Sequence, residues 1–131
     1  MKAKIPIIID TDIGDDIDDI WALGLAIASN MFDIKLISVC YADIEYKTKI
    51  VYDIITKTKN DKIALAKGVE ILHNLNPPHY QRVKDLKGSA FEDAPKSIAE
   101  QVKQGVRDII ALGPLDNIAR FVTQYKDLKD K

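Results

Sequence analysis

The sequence predicts an α/β domain, Rossmann-like, with an open, mostly parallel sheet and helices on both faces. Three observations predict it. Short apolar runs alternate with longer helical segments along the chain, a pattern that builds parallel strands joined by right-handed crossovers. The first run, IPIII at 5–9, is continuously apolar, as a strand buried on both faces must be. Polar, chemistry-bearing residues follow three of the expected strands, at 10–19, 42–43 and 113–117. In an open parallel sheet, ligands gather outside the carboxyl ends of the strands.

Residues 5–9 are β-branched apart from Pro6, which sits near the strand start where a missing N–H is tolerated. Residues 17–29 read as a helix. Ile17, Ile20, Trp21, Gly24 and Ala28 form one stripe, and Leu23, Leu25 and Ile27 make most of the remaining surface apolar. A helix apolar nearly all round is expected deep in the fold, with Trp21 in the core. Residues 34–41 (IKLISVCY) form the second strand and 45–57 an amphipathic helix with Ile50, Val51 and Ile54 inward. The third strand is placed at 62–66, the third helix at 94–104, the fourth strand at 106–112 and the last helix at 115–125. Residues 68–93 carry Pro77, Pro78 and Gly88 and little periodicity, so they read as a long functional or disordered loop.

The chain has 131 residues, 47% of them hydrophobic and 30% charged, which suits one globular domain over 1–131. Its net charge of −1 gives no global attraction to nucleic acid or to an anionic membrane. Cys40 is the only cysteine, which rules out an internal disulfide and favours a cytoplasmic setting. The apolar run before Asp10 is too short for a signal-peptide core or a membrane span. His73 and His79, in the long loop, read as surface residues.

The chemistry concentrates in DTDIGDDIDD, where six of ten residues from Asp10 to Asp19 are aspartates. No lysine or arginine lies between Lys4 and Lys35. A helix N-terminus favours an anion by about 0.3–1 kcal/mol, which accounts for one or two of the six. Asp15 and Asp19 would be a like-charge i,i+4 pair on the helix, mildly unfavourable. Carboxylates packed this closely must face water, hold protons or bind a cation. All-oxygen donors point to a hard cation, Ca²⁺ ahead of Mg²⁺. A solvated acidic loop with an ordinary aspartate N-cap explains one or two aspartates well and six poorly. An EF-hand is excluded, because Gly14 falls at its fifth position and Trp21 at its twelfth. A strand followed by D-x-D also opens haloacid-dehalogenase-type phosphatases, but the Asp18–Asp19 pair is not expected there. That phosphatase is the alternative enzyme. Asp43 also reads as an N-cap for the second helix, and Asn117 as a helix-start or packing residue.

DTDIGDDIDDIWAL resembles the N-terminal signature D-x-D-x-G-x-D-D-A-x-A-L of the inosine–uridine-preferring nucleoside hydrolases, with two extra residues before the paired aspartates. VCYADIEYKTKI at 39–50 is similar to the strand that ends in Gly-Asn or Gly-Asp in that family. ALGPLDNIA at 111–119 is similar to its G-P-L-T-N-I-A. The resemblance implies hydrolysis of the N-glycosidic bond of a ribonucleoside, with Ca²⁺ holding the attacking water and the ribose diol. By position it makes Asp12 a calcium ligand and the base, Asp19 a bidentate ligand, and Asp10 a ligand or its brace. Asp18, Asp43 and Asn117 would meet the substrate, and the backbone carbonyl of Asp116 would be a further ligand. The three motifs cover the N-terminal part of the family fold, so a truncated form of it is expected. That implies half a site, completed by self-association or by a complementing C-terminal segment. Without completion, the same residues describe an inactive cation-binding or structural remnant.

Overall fold

A computed structural model describes residues 3–69, 83–86, 88, 90–91 and 93–131. Four strands form one parallel sheet: β1 (Ile5–Thr11), β2 (Phe32–Val39), β3 (Ala64–Lys67) and β4 (Asp108–Ala111). They alternate with α1 (Asp18–Ala28), α2 (Ile44–Lys57), α3 (Ala94–Lys103) and α4 (Asp116–Gln124), and a short 3₁₀ turn closes the chain at Lys126–Leu128. The strand order is β3-β2-β1-β4. The chain therefore walks outward from β1 to β3, then returns past β1 to place β4 on the other side. The point of reversal lies between β1 and β4, and open α/β sheets bind ligands at such a switch point.

Alternation along the strands divides the core. Ile7 and Ile9 of β1, with Ile37 and Val39 of β2, pack against Leu23 and Ala26 of α1 and Ile50, Val51 and Ile55 of α2. Ile8, Leu36 and Ala66 point the other way, onto Ile98, Ala99 and Val102 of α3 and Phe121 of α4. Helices thus cover both faces of the sheet. Strict alternation would put Ile34 and Leu36 on one face. A register shift pairs Ile7 with Ile34 but Ile8 with Leu36, so Lys35 bulges out and the face changes hands. Lys35 stays exposed and pairs with Asp33 at 2.6 Å. The outer side of β3 is bridged by Phe91. β4 pairs with β1 alone among the described residues.

Helix ends follow local chemistry. Asp93 caps α3 by accepting from the Lys96 N–H at 3.0 Å, with a proline in the first turn. The α3 end closes on Gly105, at φ +104°, with Val106 N–H donating to Gln101 O and Gly105 N–H to Val102 O. α2 ends in the same double bond pattern, Asn60 to Ile55 and Lys59 to Thr56. There the left-handed position, φ +57°, holds Lys59 instead of glycine.

Several expectations are corrected. Asp10 lies inside β1, not past its end, and α1 begins at Asp18. Asp15 and Asp16 therefore belong to the preceding turn, and Asp15 forms no helical pair with Asp19. The deep burial expected for α1 does not occur. Only Asp19, Leu23 and Ala26 are buried along it, while Ile17, Trp21 and Leu25 are 64%, 70% and 72% exposed. The buried i, i+4, i+7 stripe meets the core, with Ile20 and Ile27 packed half-buried beside it. Trp21 is not a core residue. His73, His79 and most of the expected 68–93 loop lie outside the described residues.

Candidate functional site

The loop leaving β1 and the loop leaving β4 meet at the switch point. They enclose a cleft of about 280 Å³ lined by Asp12, Asp15, Asp16, Asp18, Asp19 and Gly113, among others. The first loop is pinned from within. Ile13 is buried in the core, and Gly14 adopts φ +113° against α2. A Cβ on Gly14 would lie 2.7 Å from Ile50 Cδ1, and the positive φ is what calls for glycine at this turn. Gly113 plays a matching part across the cleft. A Cβ there would stand 2.7 Å from Asp12 Oδ1, so the β4–α4 loop rests directly on that carboxylate.

Asp19, buried at the start of α1, accepts from the Thr11 hydroxyl and from the Asp12 N–H, the latter at 3.1 Å. It staples the end of β1 to the helix. Asp18 is exposed at the cleft rim, its carboxylate accepting from the Asp19 N–H at 3.0 Å. Asp12 is partly buried. Burial raises its pKa above the ordinary 3.8, the charge of Asp19 raises it further, and Lys47 opposes both.

Asp10 lies one layer beneath and is fully buried. Its Oδ1 accepts from the Ser38 hydroxyl at 2.5 Å and from Asn117 Nδ2 at 2.9 Å. Its Oδ2 is buried without a partner among the described residues. Burial raises the Asp10 pKa, against the lowering effect of the Asn117 and Ser38 hydrogen bonds. Burial, and then the Asp10 charge, raise the pKa of the neighbouring Cys40 thiol, so it stays protonated and unreactive. Asn117, 1% exposed, also donates to Val39 O at 3.0 Å. One amide thus ties the ends of β1 and β2 to the start of α4. This matches the packing reading of Asn117.

The chain bends sharply after β2. Tyr41 and Ala42 have φ of +60° and +48°, and Asp43 follows at φ 0°. Such conformations cost about 1–3 kcal/mol each and cluster at functional sites. Asp43 stands at the N-cap position of α2, where its carbonyl accepts from the Lys47 N–H at 3.0 Å, but its side chain makes no capping bond. Its Oδ2 is buried without a partner among the described residues.

The structure thus gathers Asp12, Asp18 and Asp19 at one cleft, with Asp10 and Asn117 behind it. Asp43, at the end of β2, and Asp116, exposed at the start of α4, are not among the residues lining it. No group of three or more His, Cys, Asp or Glu side chains among the described residues converges tightly enough to form a ready-made metal cage.

Lys47 is the site residue that the sequence reading missed. No cation lies near the aspartates in sequence, yet Lys47 Nζ reaches across from α2 to Asp12 O and to Asp15 Oδ2, both at 2.5 Å. The side chain is fully buried. A signal was available: Lys47 lies three and four residues before Ile50 and Val51, on the buried stripe of an amphipathic helix. A lysine there must find a partner in the fold.

The inosine-uridine preferring nucleoside hydrolase family model matches residues 7–131. Among solved structures, a plant nucleoside hydrolase, the PpNRh1 enzyme, superposes with a TM-score of 0.76 at 24% identity. The match covers 93% of this chain and 43% of that one. The type III effector protein XopQ, complexed with adenosine diphosphate ribose, superposes with a TM-score of 0.71 at 10% identity, over 98% of this chain and 41% of the effector. The chain therefore spans less than half the length of either. Among curated proteins no match is found.

Proposed function

Because the chain belongs to the inosine-uridine preferring nucleoside hydrolase family, we propose that its acidic cleft is the ribonucleoside-cleaving half-site of an N-ribohydrolase. One observation carries this reading. Asp12, Asp18 and Asp19 line a single cleft at the switch point of the sheet, and Asp12 is held against Gly113 of the facing loop. XopQ is a relative in fold whose bound ligand contains ribose.

The residues fit a calcium ion by their chemistry. The donors are all oxygens, as a hard cation requires. A buried carboxylate oxygen of Asp10 has no partner among the described residues. Burial, and after it the neighbouring charge of Asp19, raise the pKa of Asp12, and a bound cation would offset both effects. Asp12, Asp19, Asp10 and the Asp116 carbonyl would hold the ion, after closing on it from their present spread. When bound, Ca²⁺ would ease ionisation of water and engage the ribose diol.

The chain's own residues would do the rest. Asp12, with its pKa raised by burial, is a better base than a solvated aspartate and takes the proton of the attacking water at its carboxylate. Asp18, exposed at the rim, accepts hydrogen bonds from ribose hydroxyls, with Asp43 and Asn117 on the substrate side by resemblance. The carboxylates together stabilise the positive charge that develops on the sugar as the base departs. Asp10, held by Ser38 and Asn117, keeps the end of β1 fixed beneath Asp12.

Release of ribose from inosine or uridine in the presence of Ca²⁺ tests the reading. Turnover by the wild type and a loss of at least about 10²-fold in Asp12→Asn are expected, the usual scale for removing a general base. Folded wild type without turnover would overturn catalysis by this chain alone. A second reading then stands, a cation-binding or structural domain. It is favoured by the absence of a ready-made cage among the described residues. Family membership displaces the dehalogenase-type phosphatase as the explanation of D-x-D.

A further inference from the structure

We propose that Lys47 is a positioning residue of the acidic cleft, an internal cation that holds the turn at 12–15 in its cation-binding shape from the core side. The inference rests on the calcium-site reading above. Three observations meet in it. The Lys47 side chain is fully buried, and its ammonium donates both to the Asp12 carbonyl and to the Asp15 carboxylate at 2.5 Å. The turn between those two residues is seated on the same stretch of α2, through the close approach of Gly14 to Tyr46 and Ile50. Ile13, inside that turn, is buried in the same core cluster as Tyr46 and Ile50. One helix thus grips the backbone of the turn by packing and by charge.

The grip divides the aspartates. Asp15 is committed to Lys47, while Asp12 has its carbonyl drawn toward α2 and its carboxylate left against Gly113 at the cleft. Asp15 is therefore a counter-charge for Lys47 and not a member of the ligand set. A buried ammonium with two good acceptors is costly to orphan, so the pair stays closed and the turn with it.

The proposal makes a prediction whose sign opposes simple charge counting. Removing a cation beside a cluster of aspartates should tighten binding of a divalent cation if only charge matters. If Lys47 positions the turn, its removal loosens binding. Titration of the wild type, Lys47→Met and Lys47→Arg with calcium chloride, followed by calorimetry, separates the two. A Kd at least tenfold weaker in Lys47→Met, partly restored in Lys47→Arg, is expected. A Kd unchanged or tighter in Lys47→Met overturns the proposal. Amide hydrogen exchange in calcium-free protein provides an independent reading. The amides of Ile13 to Asp16 should exchange at least tenfold faster in Lys47→Met, with the centre of β1 unchanged; equal rates overturn the proposal. If the wild type does not bind calcium, the site reading fails and the exchange result alone decides the role of Lys47. Should Lys47→Met not fold, Asp15→Asn replaces it in both measurements, with a severalfold effect expected and no effect counting against the proposal.

Discussion

Asp10 and Asp12 stand two residues apart at the end of one strand and meet different surroundings. Asp10 is sealed in the core, with hydrogen bonds to one oxygen only among the described residues, and Asp12 faces the cleft beside Asp19. Both pKa values are raised above 3.8, chiefly by burial. The folded state then binds more protons than the unfolded state between 3.8 and the raised values, so stability falls as pH rises through that window. Above it, each charge weighs against the fold. Asp12→Asn should therefore raise the melting temperature of the calcium-free protein near neutral pH. The gap between variant and wild type should narrow as pH falls toward about 4. A variant that melts lower than the wild type near neutrality would show that Asp12 is already compensated. The site was legible in part at this scale. Asp12, Asp18 and Asp19 announce themselves by crowding, whereas Lys47 is separated from them by a helix, a strand and two turns.

At the scale of the element, α2 and α3 end in the same hydrogen-bond pattern with different residues at the left-handed position, Lys59 in one and Gly105 in the other. An L-residue in this conformation costs about 1–2 kcal/mol relative to its right-handed form. Lys59 is exposed. Lys59→Gly should stabilise the protein by about 1 kcal/mol, read as a higher urea midpoint with an unchanged m value. Elements of this kind were largely legible in the sequence. The expected helices at 45–57 and 94–104 agree with the observed ones to within a residue at either end, because amphipathic period and an aspartate-proline start are local signals. Strand ends were less so. β1 runs on through Asp10 and Thr11 because both pair with β2, and pairing is a property of two segments.

For the whole molecule, the arrangement of layers decides what an apolar residue does. α1 contributes Leu23 and Ala26 to the core on one face of the sheet and leaves Ile17, Trp21 and Leu25 outside it. Trp21→Gln should then change unfolding free energy by no more than about 0.5 kcal/mol, where truncation of a core tryptophan would cost about 3–5 kcal/mol. The indole should also fluoresce as a solvated one and be quenched freely by iodide. A large loss of stability, or an indole shielded from iodide, would place Trp21 in a contact absent from this fold. No helix among the described residues is long and apolar enough to cross a membrane.

The sequence by itself determined the α/β class, the alternation of strands and helices, the crowding of six aspartates between the first strand and the first helix, and the family signature in three separated motifs. These are local patterns of period, charge and spacing. The tertiary structure alone decided that β4 returns to the far side of β1, which brings Gly113 onto Asp12 and makes the cleft. It alone decided that Asn117 braces Asp10, that a bulge at Lys35 reverses the faces of β2, and that Lys47 lies beneath the aspartates. Each depends on residues far apart in the chain meeting across a sheet, and no window of sequence carries the register that brings them together.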